Sequence, residues 1–291
     1  MAQSTLIKNK TQPVATKQIW RWLIPILGFA WLFGHWFWDT SKPENLLFEV
    51  NRLTVVPFFE THYLYLYAHL FTLIPILSLS FDKKVAFYKN WRYLLPALFL
   101  VAIPYWIWDI VKTHQQVWDF NPSYYTRLLL NLPLEEWCFF ITFPFASVFI
   151  YDCLNAYFPK SRFLSLLEKI DAPLSISLIF LSFGIGLAFS GHLYTVTTFG
   201  FGGILLLWQY MYGSQAVRGV FYRTFLVGTI PFILVNGVFT GAFTAQPIVV
   251  YNPEEYLGSR FFTIPFDDFS YNFGLTLAVI MLYEWFKNKR F

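Results

Sequence analysis

The sequence predicts an all-α fold: a polytopic membrane helix bundle of about eight transmembrane helices, arranged as two parallel four-helix repeats. Three observations predict it. Of 291 residues, 56% are hydrophobic and only 13% are charged, whereas soluble domains average roughly 25% charged. Apolar stretches of the ~20 residues that span a hydrocarbon core recur along the whole chain. The same short blocks of sequence also return at offsets of 131 and 132 residues.

In chain order, residues 1–18 are polar and read as a disordered N-terminus. The first span, 19–38, lacks a following small-residue cleavage site and reads as a retained helix rather than a signal peptide. The remaining spans are 61–81, 93–110, 134–157, 173–190, 195–212, 223–240 and 266–286. Several contain proline, which helices in membranes tolerate. The last four residues before Thr195 are all that separate the fifth span from the sixth. The first repeat thus covers 19–157, a cytoplasmic linker 158–172, and the second repeat 173–287.

Charge supplies an independent check, because basic residues collect on the cytoplasmic side. With the N-terminus inside and eight crossings, sixteen of the 21 Lys and Arg fall inside, and only Lys42, Arg52, Lys112, Arg127 and Arg260 fall outside. Both termini are then cytoplasmic, in the cell membrane. Twelve of the 17 acids fall on the outer side. The net charge of +4 is too modest to argue for nucleic acid. Cys138 and Cys153 lie in apolar stretches and read as buried fillers, with no metal-ligand spacing.

The repeat is legible in three blocks. Phe120-Asn121-Pro122 matches Tyr251-Asn252-Pro253, Pro133-Leu134-Glu135-Glu136 matches Pro265-Phe266-Asp267-Asp268, and Tyr151-Asp152 matches Tyr283-Glu284. Pro104 and Pro231 match at a slightly smaller offset. Four helices per copy put the copies parallel, about an axis along the membrane normal.

The Pro-x-acid-acid motif opens a helix in each copy. One reading is ordinary helix-start chemistry, with proline in the first turn and acids on the helix dipole. The other is functional, since ionisable groups at membrane depth are costly and mark sites. Adjacent carboxyls at an apolar boundary repel each other and keep a proton available for acid chemistry. Asp109, in Trp106-Ile107-Trp108-Asp109, reads as interfacial or as a member of the site. Asn121 and Asn252 read as turn residues or as partners of a carboxyl. His69 reads as a packing residue or a proton carrier, and His192 as interfacial. Asp152 and Glu284 read as inner-end acids that pair with nearby cations. No dinucleotide fingerprint, phosphate loop, Asp-x-x-Asp pair or histidine cluster is present, so no cofactor and no metal are expected. Aromatic residues reach 22%, more than interfacial belts require, and read as dense packing or as a bed of flat rings for a ligand.

Leu132-Pro133-Leu134-Glu135-Glu136-Trp137-Cys138-Phe139-Phe140, preceded by Trp118-Asp119-Phe120-Asn121-Pro122, resembles the signature of the integral-membrane, non-flavin lycopene cyclase domain. Val235-Asn236-Gly237, Tyr251-Asn252 and Ile264-Pro265-Phe266-Asp267-Asp268-Phe269-Ser270-Tyr271-Asn272 resemble its partner domain. The resemblance covers roughly 57–287 and fits the fused, two-domain form, with Asp-Asp in copy two where a glutamate is expected. It implies a β-cyclase type isomerase that closes the linear ends of lycopene into β-ionone-type rings without net redox change. The implied acid/base set is Glu135, Glu136, Asp267 and Asp268, with Asp109 in support. The implied substrate contacts are Asn121, Asn252, Asn236, Phe139, Phe140, Trp108 and Tyr271. The implied partners are the carotenoid and membrane lipid, and self-association is left open. Three other readings stand: a carotenoid end-group hydratase, a membrane prenyltransferase, and a non-catalytic carotenoid-binding protein.

Overall fold

The computed structural model describes residues 54–289 and, earlier in the chain, Leu23, Ile26, Leu27, Gly28, Ala30 and Trp31. The expected polar tail 1–18, much of the span expected over 19–38, and the outer loop as far as residue 53 lie outside the described residues. The described chain is built from α1 (Leu64–Leu79), α2 (Trp91–His114), α3 (Leu134–Tyr157), α4 (Arg162–Lys169), α5 (Asp171–Ala188), α6 (Leu193–Tyr212), α7 (Gln215–Phe239) and α8 (Phe266–Lys289). Short strands lie in its loops: β1 (Trp118–Phe120), β2 (Leu128–Leu129), β3 (Leu132–Pro133), β4 (Val249–Tyr251), β5 (Arg260–Phe261) and β6 (Ile264–Pro265).

Among the described residues, four stretches are long and apolar enough to cross a membrane: Phe87–His114, α3, α5 and α7. Large apolar side chains stand on the outside of the bundle, with Phe71 and Phe180 each 74% exposed and Leu187 73% exposed. A soluble bundle would place polar residues there, so the chain is a membrane protein. Prolines sit inside α1, α2, α3 and α7 without ending them.

Two boundaries differ from expectation for a physical reason. Helix α7 begins at Gln215, ahead of the expected 223, and takes in Arg218 and Arg223, both of which are buried. Arg218 donates from Nη2 and Nε to Asp171 at 2.6 and 2.9 Å and from Nη1 to Gln209 at 3.0 Å. Arg223 donates to Phe158 O at 2.6 Å and Asn155 Oδ1 at 3.0 Å. These partners replace the water a polar boundary would supply. The linker 158–172 contains α4, whose start Ser161 caps by accepting from Leu164 N at 3.1 Å. Cys138, expected to be buried, is exposed on α3, and Cys153 is half-buried; both are free thiols.

The repeat is visible in the hydrogen bonds. Strands β1 and β4 pair antiparallel, with Trp118 opposite Tyr251, Asp119 opposite Val250 and Phe120 opposite Val249. At an offset of 131, Asp119 corresponds to Val250, so the pairing maps onto itself when the copies are exchanged. A pseudo-twofold axis therefore passes through this pair. On either side of it Asn121 N donates to Ile248 O at 2.8 Å and Asn252 N donates to Val117 O at 2.9 Å. Each motif helix is entered through a small hairpin, β2–β3 or β5–β6. Beyond each hairpin, Leu134 N returns to Arg127 O at 2.9 Å and Phe266 N to Ser259 O at 3.1 Å.

One apolar core joins α2, α3, α6, α7 and α8 around Tyr105, Phe140, Phe201, Leu275 and Tyr283. A second lies under the loops, around Tyr65, Trp118, Tyr194, Phe239 and Tyr251. The bundle closes tightly where glycines face other helices. A side chain on Gly200 would stand 2.5 Å from Trp31 Nε1, and one on Gly274 3.2 Å from Tyr105 Oη.

Candidate active site

The proline of each motif ends a strand and opens a helix. Pro133 and Pro265 close β3 and β6, and the two acids fall in the first turn of α3 and α8. Successive residues on a helix point ~100° apart, so the two acids of a pair face different surroundings. The first acid turns back onto the loop before it. Glu135 Oε1 accepts from Thr126 N at 3.0 Å. Asp267 accepts from Leu257 N at 3.1 Å and from Thr195 Oγ1 at 2.6 Å. Glu136 and Asp268 instead point inward, toward the pseudo-twofold axis.

There they line one chamber together with Asp109. Its walls include Tyr65, Trp118, Phe139, Tyr194, Asn236, Phe239, Tyr251 and Tyr271. All three acids are buried, at 6% exposure for Glu136, 5% for Asp268 and 2% for Asp109. Tyr65 donates its phenol to Glu136 Oε2. Tyr194 donates to Asp268 Oδ1 at 2.7 Å, while Tyr251 and Asn236 donate to Oδ2 at 2.8 and 2.7 Å. Trp118 Nε1 donates to Asp109 Oδ1 at 3.0 Å, and Asp109 Oδ2 has no hydrogen-bond partner among the described residues. Asp109 and Glu136 are close enough to interact through charge, as are Glu136 and Asp268.

The two halves of the chamber are related but unequal. Tyr65–Glu136 corresponds to Tyr194–Asp268. At the offset that relates Pro104 to Pro231, Asp109 corresponds to Asn236. One half therefore offers an additional carboxyl, and the other an amide that donates to its own aspartate.

The remaining residues singled out in the sequence fall outside the lining. Asn121 Oδ1 accepts from Ser123 N at 3.0 Å and Asn252 Oδ1 from Glu254 N at 3.1 Å, so both shape loops. Phe140 and Trp108 are buried in the packing behind Tyr271, with the Trp108 and Tyr271 rings 5.0 Å apart. His69 is buried between Tyr65 and Phe143, at ring distances of 5.4 and 5.3 Å. His192 forms the entry to α6. Asp152 is bonded by Tyr283 at 2.7 Å and Asn90 at 2.8 Å at the inner end, far along α3 from the motif.

Tyr65 and Tyr194 were not singled out by sequence, and Trp118 and Tyr251 appeared only inside motif blocks, with no role at the site. Leu64-Tyr65 and Leu193-Tyr194 repeat at an offset of 129, so extending the repeat comparison to the starts of α1 and α6 finds two of them. The other two reach the acids through the β1–β4 pair, a contact that only the fold reveals.

Fold and chamber together define a membrane helix bundle with a buried carboxyl site at the junction of two repeats. The chain belongs to the lycopene cyclase family: the family profile described as lycopene cyclase matches residues 62–154 and 191–286. Each matched segment contains one copy of the Pro-x-acid-acid motif, and membership makes this a cyclase-type enzyme of carotenoid biosynthesis. Comparison with curated proteins and with solved structures gave no match.

Proposed function

We propose that the protein converts lycopene to a β-ring carotenoid by acid/base catalysis in the chamber between the repeats. The observation that carries this reading is the meeting of Glu136, Asp268 and Asp109 in one apolar, aromatic-walled space. In this reading Glu136 gives a proton to the terminal alkene of the substrate. The tertiary cation closes on the internal double bond, forming the ring bond and moving the positive charge into the ring. Asp268 then takes a ring proton, so substrate and product are isomers. Hydrogen bonding supports these roles. Asp268 accepts three donors on its two oxygens, which suits a carboxylate waiting as base. Glu136 accepts from Tyr65. Asp109 faces Glu136 and supports it with Oδ2, the oxygen left without a hydrogen-bond partner among the described residues. The faces of Tyr271, Trp118 and Phe139 stabilise the cation, and exclusion of water prevents its capture as an alcohol. Glu135 and Asp267 position the motif turn, and Asn121 and Asn252 the loops above it.

We also read repeats over 19–157 and 173–287, eight crossings, and both termini on the cytoplasmic side of the cell membrane, as the charge distribution supports. Reporter fusions at each terminus test the orientation, and a reporter active only outside contradicts it.

Expression in a lycopene-accumulating host, followed by pigment chromatography, tests the reaction. The wild type is expected to form β-ring product. Glu136→Gln is expected to lose about 10²–10⁴ in rate. Asp268→Asn, which still permits protonation, is expected to lose rate and to shift the remaining product toward other ring isomers or alcohols. Wild-type turnover by both variants contradicts the assignment. A hydroxylated wild-type product points to the hydratase instead.

A further inference from the structure

The chamber does not end at the acids. A groove runs from it along the α3–α7 contact, sharing Phe139, Phe232, Asn236, Phe239 and Asn272 with the chamber lining. Farther along it, Ser147, Ile150 and Gly228 are half-buried, so the groove is open along the bundle. Among the described residues, no charged side chain lines it. Its hydroxyls are all engaged: Thr72 donates to Ala68 O at 2.9 Å, Ser147 to Phe143 O at 3.1 Å, Thr224 to Val220 O at 2.8 Å and Thr276 to Asn272 Oδ1, another lining residue, at 3.3 Å. Each bonds within its own helix.

The other repeat has the same helix contact, between α2 and α8, and there it is filled. Gly228 and Val235 on α7 correspond to Val101 and Trp108 on α2, and Ser147 on α3 to Val279 on α8. Val101 is 5%, Trp108 4% and Val279 0% exposed. Symmetry would give two grooves, but side-chain size leaves one. The sequence difference that opens it is centred on Gly228, whose added Cβ would stand 3.8 Å from Ile150 Cδ1.

We propose that the α3–α7 groove is the binding site for the polyene chain of the substrate, with Gly228 and Ser147 setting its width. Each chain then holds one substrate end in the acid chamber while the rest of the hydrocarbon lies along this single groove. The identity of the occupant rests on the cyclase reading. Its apolar class rests on continuity with the chamber and on the uncharged lining.

A graded series tests it. Gly228→Ala adds a Cβ 3.8 Å from Ile150 Cδ1 and is expected to raise KM for lycopene least. Gly228→Val, which copies the filled repeat, is expected to lower kcat/KM for lycopene about tenfold, mainly through KM, and Gly228→Leu more. Thermal melting in detergent should stay within a few degrees of wild type, because the added atoms enter open space. Independently, Ser147→Cys in a Cys138→Ser, Cys153→Ser background is labelled with a small maleimide, with and without lycopene in nanodiscs. Lycopene is expected to slow the labelling several-fold. Equal lycopene kinetics for wild type and Gly228→Leu, or labelling unchanged by saturating lycopene, overturns the groove. Absence of cyclic product from the wild type overturns the cyclase reading instead, and protection of the thiol introduced by Ser147→Cys then still reports an apolar ligand in the groove.

Discussion

Asp268 shows how much of the site depends on single donors. Tyr194, Tyr251 and Asn236 approach it from α6, β4 and α7, so its position records the relative placement of three elements. Tyr251 lies on the outer loop side, where burial, and after it the adjacent Asp268 carboxyl, pushes its phenol well above the ordinary tyrosine value of 10.0. A phenol that holds its proton more tightly when folded contributes stability that is complete below the unfolded value. That contribution is lost as pH rises through the folded value. Tyr251→Phe is therefore expected to flatten the alkaline fall in stability above pH ~10 relative to wild type. Denaturant unfolding across pH 8–12 measures this, and parallel wild-type and variant curves contradict it. Below that range the variant should show only the cost of one lost donor to Asp268, about 1.5–3 kcal/mol for a hydrogen bond to a charged group.

Among elements, α5 and α7 are held by a charge pair rather than by hydrocarbon alone. Arg218 and Asp171 are 5% and 2% exposed, and Ser175 adds a bond to Asp171 at 3.3 Å and one to Tyr222 at 2.6 Å. Asp171→Ala leaves a buried guanidinium unpaired, at an expected cost of about 3–5 kcal/mol in unfolding free energy. Asp171→Leu with Arg218→Leu should recover much of that loss, and a double variant no better than the single one contradicts the pairing. The same residues show what sequence can and cannot say about elements. The apolar spans and the two motif helices were legible because hydropathy and a repeated motif are properties of adjacent residues. Helix α4 was hidden because eight residues with charges read as linker, and the early start of α7 because buried arginines look like a boundary. The inward direction of Glu136 and Asp268, as against the loop-capping direction of Glu135 and Asp267, depends on the hairpins that enter the helices. Those hairpins turn at positive-φ residues such as Leu130, Asn131 and Phe262, which carry no glycine signal. The open groove was visible only as a size difference between paired positions, Gly228 against Val101, once the helices were seen to pack as equivalents.

At the scale of the whole molecule, the chamber belongs to neither repeat. Glu136 and Asp109 come from the first, Asp268 and Asn236 from the second, and the β1–β4 pair over the axis takes one strand from each. At the inner end, Asp152 of α3 accepts from Tyr283 of α8 at 2.7 Å, and Tyr151 bonds Glu284 in the matching exchange. The covalent link between the halves lies at this inner end, away from the chamber and the β1–β4 pair. It leaves α3 after Tyr157 and enters α4, which packs on α7 of the second half. Cutting the chain between Pro159 and Lys160 should therefore keep α4 with its partners and remove only the tether. Each fragment expressed alone is expected to give no cyclised carotenoid, because each lacks one of the two inward carboxyls. Coexpressed, the fragments should restore it, with activity falling as expression is diluted, since association then replaces an intramolecular contact. Tagged fragments recovered together from the membrane, with pigment analysis of the same cells, measure both outcomes. Cyclisation by the first fragment alone would mean that one repeat holds a complete site, and Asp268 would lose its place in the reaction. Copurification without cyclisation would show that the tether itself sets the chamber, and the cut would then be repeated between α4 and α5 to separate the two effects.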